Sequence, residues 1–255
     1  MIVKVNKERE FTIKAREFLA RKQYDSAVIY YNAAIAQFPD SAQLLQERGK
    51  CNYELEKYAL ALKDLNDAID LNHNSSDLYI DRGLVYDVMG SDSKAITDFY
   101  KALELRPNNL RALNAKGVFL LKRNELVQAY QDFSQILLVD SSNCDALLNI
   151  ASVFQEMNLN DTAITVLDKA LVNCPDKSRA YFKRGIANLI LKNYEKAIAD
   201  ISVAIDLAPK NSMYVTERGK AYLARKAFDS ACSDWSKAHT MGSQEAYLLM
   251  AKFCN

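Results

Sequence analysis

Five basic residues of this 255-residue chain are each followed, sixteen positions later, by an aspartate. The pairs are Arg48 and Asp64, Arg82 and Asp98, Lys116 and Asp132, Arg184 and Asp200, and Arg218 and Asp234. A guanidinium or ammonium group that faces a carboxylate forms charge-assisted hydrogen bonds, which hold a structure together or anchor a charged ligand. At one further place with the same spacing the chain has Ile150 and Val166, so the base and the acid are absent together.

The residue types that carry most catalytic chemistry are scarce. His73 and His239 are the only histidines, and neither has a nucleophile or a metal-ligand pattern beside it in the sequence. The seven glycines form no phosphate-binding loop, and no motif groups the 32 acidic residues into a catalytic pair. We therefore predict no catalytic residue, no metal site and no cofactor, and we interpret both histidines as solvated or capping residues.

Small residues recur with a period of 34, which indicates the elements that position the charged pairs. The first series is Gly49, Gly83, Gly117, Ala151, Gly185 and Gly219, and the second is Ala27, Ala61, Ala95, Ala129, Ala163, Ala197 and Ala231. Four residues after each of these alanines stands a large apolar residue, from Tyr31 to Trp235. A fixed period of this length predicts a stack of similar units, each burying its apolar face against its neighbours.

These residues resemble the tetratricopeptide repeat family, and the Arg-Gly in the first helix is similar to its bacterial members. The seven repeats are 8–41, 42–75, 76–109, 110–143, 144–177, 178–211 and 212–245, within a single array over residues 1–255. The resemblance implies an all-α fold, a right-handed superhelical α-solenoid of helix-turn-helix repeats. A capping helix at about residues 244–254 would cover the last apolar face.

Each repeat is expected to contain a helix A near unit positions 2–15 and an antiparallel helix B near positions 18–30. The basic residue stands at position 7 and the aspartate at position 23, each eight residues from the turn between the helices. Because the two helices run in opposite directions, these positions lie at the same height and face each other. We predict five structural ion pairs, with an arginine-lined binding groove as the alternative interpretation.

Composition and termini limit the classes of partner. A formal net charge of +1, from 33 basic and 32 acidic residues, provides no basic field for nucleic acid. No long apolar run or signal-like start is present, so we predict a cytoplasmic protein without membrane insertion. The five cysteines occupy unrelated repeat positions, and we interpret them as reduced: Cys51, Cys144, Cys174, Cys232 and Cys254.

The resemblance also implies a concave surface, made of helix A residues, that binds other proteins. The predicted peptide-binding residues are Tyr53, Arg111, Asn114, Asn149, Arg179 and Lys183. Asn149, Arg179 and Lys183 match part of the family's carboxylate clamp, with the last two residue types exchanged. Asn114 and Val118 stand where the clamp has Lys and Asn, so the match is incomplete.

We therefore expect a non-catalytic scaffold that binds a peptide or a partner helix in its concave groove. The alternative is a regulatory or co-chaperone-like subunit that uses the partial clamp, and a hydrolase is the least favoured interpretation. The partner is an unknown protein or peptide, and self-association through the terminal repeats remains open.

Overall fold

The computed structural model describes the backbone of residues 2–254 and the side chains of residues 10–254. The described residues form fifteen α-helices and no strand, which confirms the all-α repeat class predicted from the sequence. The helices are α1 (Ile2–Ala20), α2 (Tyr24–Gln37), α3 (Ala42–Glu54), α4 (Tyr58–Leu71), α5 (Ser76–Val88), α6 (Asp92–Leu105), α7 (Leu110–Lys122), α8 (Leu126–Val139), α9 (Cys144–Glu156), α10 (Asn160–Asn173), α11 (Ser178–Ile190), α12 (Tyr194–Leu207), α13 (Ser212–Ala224), α14 (Phe228–Thr240) and α15 (Gln244–Phe253).

The helices belong to two compact units, Met1–Phe119 and Leu120–Asn255. In the first unit, each of the helices α1 to α5 packs against the next one along the chain, and α3 also contacts α5. In the second unit the same pattern runs from α8 to α15, with further contacts of α11 to α9 and to α13. In both units, therefore, the first helix of one repeat contacts the first helix of the next repeat. The single array over residues 1–255 stays a prediction.

Helix A ends earlier than the sequence indicates, at unit position 13 in all seven repeats. The residue at position 15 has a positive φ in all seven repeats: Lys22, Glu56, Gly90, Asn124, Asn158, Lys192 and Lys226. A left-handed residue ends an α-helix, because the next amide then bonds back to a carbonyl of the last turn. In the sixth repeat this bond joins Asn193 N to Asn188 O at 2.8 Å. Among these seven residues only Gly90 is a glycine, the residue type that usually marks a left-handed position. The residue types therefore did not predict where helix A ends.

The buried core repeats with the same period as the sequence. All seven alanines of the second series, from Ala27 to Ala231, are fully buried. The large residue at position 24 is at most 1% exposed in every repeat, and in the second, third, sixth and seventh repeats it packs toward the glycine at position 8 of the same repeat. The missing side chain at position 8 lets the two helix axes approach, so each of these hairpins is held by one small and one large residue.

Four of the five cysteines are paired, which corrects the expectation that they are reduced. Disulfides join Cys144 to Cys174 and Cys232 to Cys254, and only Cys51 is a free, buried thiol among the described residues. Cys144 begins α9 and Cys174 follows α10, so the antiparallel hairpin brings them together with their Cα atoms 5.5 Å apart. The sequence prediction looked for cysteines at the same position of different repeats. The Cys144–Cys174 disulfide instead joins two different positions of one repeat.

We predict that Gly219→Ala lowers the free energy of unfolding by about 1–3 kcal/mol, the usual cost of overpacking a core. An added Cβ would lie 2.6 Å from Cδ1 of Trp235. The indole is held in place, because its Nε1 donates a hydrogen bond to Thr216 O at 3.1 Å. Urea denaturation followed by circular dichroism measures the change.

Gly49→Ala is the matched control. Its added Cβ would lie 3.2 Å from the Cγ of Leu65, a contact that a small shift of the leucine relieves. Alanine is also favoured over glycine in a helix by up to about 1 kcal/mol, so we expect almost no net change. Equal losses in the two variants would contradict the role assigned to the indole.

Candidate functional site

Four arginines bridge the two helices of their own repeats. In Arg48–Asp64, Arg82–Asp98, Arg184–Asp200 and Arg218–Asp234, Nε donates to one carboxylate oxygen at 2.8–2.9 Å and Nη2 to the other at 2.6–2.8 Å. The aspartate side chains are nearly buried, and the arginines are about one-quarter exposed or less. Hydrogen bonding to the aspartate raises the pKa of Arg82, Arg184 and Arg218. We call this set the arginine ladder.

Each ladder arginine has a third polar contact that the sequence analysis missed. Its Nη1 donates to a side chain sixteen residues earlier, in the B helix of the preceding repeat. The acceptors are Asn32, Asn66, Asp168 and Ser202, at 2.8, 2.8, 2.6 and 3.0 Å. Each arginine therefore ties its own hairpin to the previous one. A small polar residue sixteen positions before each arginine was the available signal.

The remaining positions of this series differ. Lys116 belongs to the first unit and Asp132 to the second, so that pair stays a prediction. The ammonium of Lys116 lies 4.6 Å from the ring centre of Tyr100, which again stands sixteen residues earlier. In the fifth repeat Ile150 is 4% exposed, and with Val166 it replaces the ion pair by apolar groups.

The odd-numbered helices carry the predicted peptide-binding residues, and we call their exposed sides the A-helix surface. In the second unit this surface is formed by α9, α11 and α13. Arg179 and Lys183 stand one turn apart on α11, and Asn149 stands on α9. Arg179 Nη1 donates to Asp145 Oδ1 at 3.0 Å, and both side chains are at least half exposed. The structure thus places three predicted residues on two neighbouring helices.

Lys183 is partly buried, as is Lys220 of α13, but Lys220 forms ion pairs with Glu217 and Glu245. The Lys183 Nζ donates to the Ser152 hydroxyl at 2.6 Å, and within residues 10–254 no carboxylate forms an ion pair with it. Burial, and to a smaller extent the nearby Arg179 charge, lowers the pKa of Lys183, while the Glu156 carboxylate acts in the opposite direction. An incompletely compensated ammonium at a protein surface favours an anion.

In the first unit the predicted residue Arg111 is already engaged by acidic neighbours. Its guanidinium forms ion pairs with Asp81 and, at 3.4 Å, with Asp77. Asp81 is buried. It also accepts a hydrogen bond from the Gln46 amide and forms an ion pair with Lys50. Arg111 therefore holds α7 against α5, and its availability to a ligand is smaller than the sequence suggested.

Tyr53 lies beside an apolar cavity of about 280 Å³ in the first unit. Leu19, Tyr24 and Leu84 form apolar parts of its wall, and the charged residues Lys50, Glu54, Asp81 and Arg111 also line it. Burial raises the pKa of the Tyr53 hydroxyl, with a smaller contribution from the Glu54 charge. The cavity provides apolar contact area beside charged groups.

Asn114 is half-buried on α7 in the first unit, whereas Asn149 lies in the second. The clamp as a whole therefore stays a prediction. Among the described residues no group of three or more histidine, cysteine or acidic side chains could hold a metal ion. The ring of His239 lies 5.2 Å from that of Tyr247, centre to centre.

Comparison with known proteins identifies the repeat. Models of the tetratricopeptide repeat family match residues 14–76 and 148–212, and residues 76–109, which together are more than half of the chain. The chain is 25% identical to tetratricopeptide repeat protein 6 of Homo sapiens over 82% of its residues and 41% of that protein. It is 26% identical to BBSome complex member BBS4 of Bos taurus over 93% of its residues and 46% of that protein. The chain thus spans less than half the length of these relatives.

Solved structures share the fold. A tetratricopeptide repeat protein from Parabacteroides merdae has a TM-score of 0.78 at 22% identity, over 98% of this chain and all of that one. PilW, a type IV pilus biogenesis factor, has a TM-score of 0.73 at 17% identity, over 82% of this chain and 98% of that one. No helix among the described residues is long and apolar enough to cross a membrane.

The ladder predicts strong coupling between its two partners. We expect Arg184→Leu and Asp200→Leu each to cost about 2–4 kcal/mol of unfolding free energy, because each leaves the other charge poorly compensated. The double variant should lose at least 1 kcal/mol less than the sum of the two single losses. Thermal or urea denaturation of the four proteins measures the cycle, and additive losses would refute the pairing.

Proposed function

The chain belongs to the tetratricopeptide repeat family, whose repeats form scaffolds for protein interactions. We propose that it is a non-catalytic scaffold. Its A-helix surface binds a peptide or a partner helix. The observation that carries this proposal is the partly buried ammonium of Lys183, which has a hydroxyl but no carboxylate partner within residues 10–254. Arg179 and Asn149 stand on the same surface and add donors for an anionic group.

The proposed ligand carries a carboxylate. An ammonium, a guanidinium and an amide can each donate a hydrogen bond to carboxylate oxygens, and bonds to ionised groups are the strongest of this kind. In the structure Arg179 forms an ion pair with the exposed Asp145. Exposed ion pairs contribute little to stability, so a ligand carboxylate can replace Asp145. The acidic side chain or chain terminus of the ligand would therefore meet Lys183 first.

A second candidate is a regulatory or co-chaperone-like subunit that recognises a chain terminus through the partial clamp. Asn149, Arg179 and Lys183 favour it, and the asparagine and valine at positions 114 and 118 weigh against it. A ligand that needs its free C-terminal carboxylate supports the clamp. A ligand that binds through an internal acidic residue supports the general scaffold.

The disulfides bear on where such a scaffold would work. Bonds between Cys144 and Cys174 and between Cys232 and Cys254 form and persist in oxidising compartments. They favour an oxidising environment over the reducing cytoplasm expected from the sequence. Disulfides also constrain the fifth hairpin and the last helix, both in the second unit.

We predict that Lys183→Met leaves the free energy of unfolding at pH 7 unchanged or raises it, because it removes a charge that burial disfavours. The pKa of Lys183 in the folded protein lies below its ordinary value of 10.5. Between these two values the unfolded chain binds more protons, so the stability of the wild type rises with pH across this window. The variant lacks that rise, which denaturation at several pH values measures.

The same variant is expected to bind more weakly than the wild type. A pull-down from the native cell extract compares wild type, Lys183→Met and the triple variant Asn149→Ala, Arg179→Ala, Lys183→Ala. Synthetic peptides from the captured partner, with a free or an amidated C terminus, then give affinities by fluorescence anisotropy. We expect at least tenfold weaker binding to the triple variant, since bonds to charged groups contribute about 1.5–3 kcal/mol each. Equal affinity for all three proteins would place the binding site elsewhere.

A further inference from the structure

An apolar cavity of about 230 Å³ lies in the second unit, at the repeat where the arginine ladder is interrupted. Its wall includes Tyr130 and Leu138 of α8, Ile150 and Phe154 of α9, and Val166 and Lys169 of α10. Ile150 and Val166 are the two residues that replace the ladder's arginine and aspartate. The cavity therefore occupies the place where a guanidinium bridges neighbouring helices in other repeats.

The cleft one repeat further along the chain contains a complete ladder step and serves as a comparison. This cleft between the fifth and sixth repeats is lined by Arg184, Asp200 and Asp168, and the arginine donates hydrogen bonds to both aspartates. Ionised groups that are already paired resist burial under an apolar ligand, because they would lose water without a new partner. The fifth repeat has no such charges, so its cavity accepts apolar groups.

Exposed apolar side chains stand at the rim of the cavity. Leu138 is 87% exposed and Tyr130 is 40% exposed. The Tyr130 and Phe154 rings contact each other with their centres 5.5 Å apart and form one wall. Exposed aromatic and aliphatic side chains around a cavity are typical of surfaces that bind a protein anchor residue.

The charge beside the cavity has one sign. No carboxylate lines it, and Lys169 is exposed, without an ion-pair partner among the residues that the structure describes. The volume lies below the range of about 300–1,000 Å³ that is usual for drug-sized ligands, so it suits a single side chain. An apolar side chain with an acidic neighbour would satisfy both the cavity and the lysine.

We propose that this cavity is a second protein-binding site, which takes one leucine- or phenylalanine-sized side chain of a partner protein. An aspartate or glutamate beside that side chain pairs with Lys169. The site goes beyond the proposed scaffold function, because it involves the B helices α8 and α10 and none of the residues Asn149, Arg179 and Lys183. The two sites can therefore be lost separately.

The test uses a random twelve-residue peptide display library, selected on the full chain. The closed variant is Ile150→Arg with Val166→Asp, which restores a ladder step. Ser134 stands sixteen residues before position 150, as Ser202 does before Arg218, so the closed variant has a folded precedent in the seventh repeat. Recovered peptides should combine a large apolar residue with an acidic one and should bind the closed variant at least tenfold more weakly.

Two surface variants keep the test independent of core changes. Lys169→Glu should weaken the recovered peptides at least threefold while the circular dichroism spectrum and the midpoint of unfolding stay unchanged. The triple alanine variant of Asn149, Arg179 and Lys183 should bind them as the wild type does. Recovery of no peptide, or equal binding to wild type and closed variant, overturns the proposal. Sedimentation that shows wild-type dimers and closed-variant monomers would assign the cavity to a second copy and overturn it too.

Discussion

The rest of each unit depends on the side-on contact between an arginine of helix A and an aspartate of helix B. This contact uses Nε and Nη2, so it leaves Nη1 directed away from the hairpin, where a side chain of the preceding B helix accepts it. One guanidinium thereby fixes three helices. Packing at the glycine and alanine positions is apolar and sets how closely the helices approach, whereas each arginine joins them through directed, charge-assisted hydrogen bonds.

The interruption of this ladder in the fifth repeat gives the second unit an apolar cavity beside the B helices, which we propose binds a side chain. The partly buried Lys183 lies on the A-helix surface and does not line this cavity, and we propose that it binds an anion. The hairpin without the ion pair carries a disulfide between Cys144 and Cys174. A covalent bond there constrains the hairpin where the charged contact is missing.

Much of the fold could be predicted because its information is periodic. The hairpins, the core alanines and the Arg–Asp spacing all follow from positions compared across repeats. The missed features depend on residue types and contacts that vary from one repeat to another. The ladder's third acceptor varies between asparagine, aspartate and serine, the disulfides join unlike positions, and the engagement of Arg111 depends on Asp81 in a neighbouring helix. The cavity lies where Ile150 and Val166 replace the charged pair, and a repeating residue pattern does not give the volume that such a replacement leaves.

The most direct test of this account is amide hydrogen exchange on Arg184→Leu, read helix by helix by mass spectrometry. If the guanidinium ties its hairpin to the preceding B helix, protection falls in α10 as well as in α11 and α12, by about tenfold for each 1.4 kcal/mol lost. Exchange that accelerates only in α11 and α12, with α10 unchanged, would show that the arginine stabilises its own hairpin alone and would contradict the account.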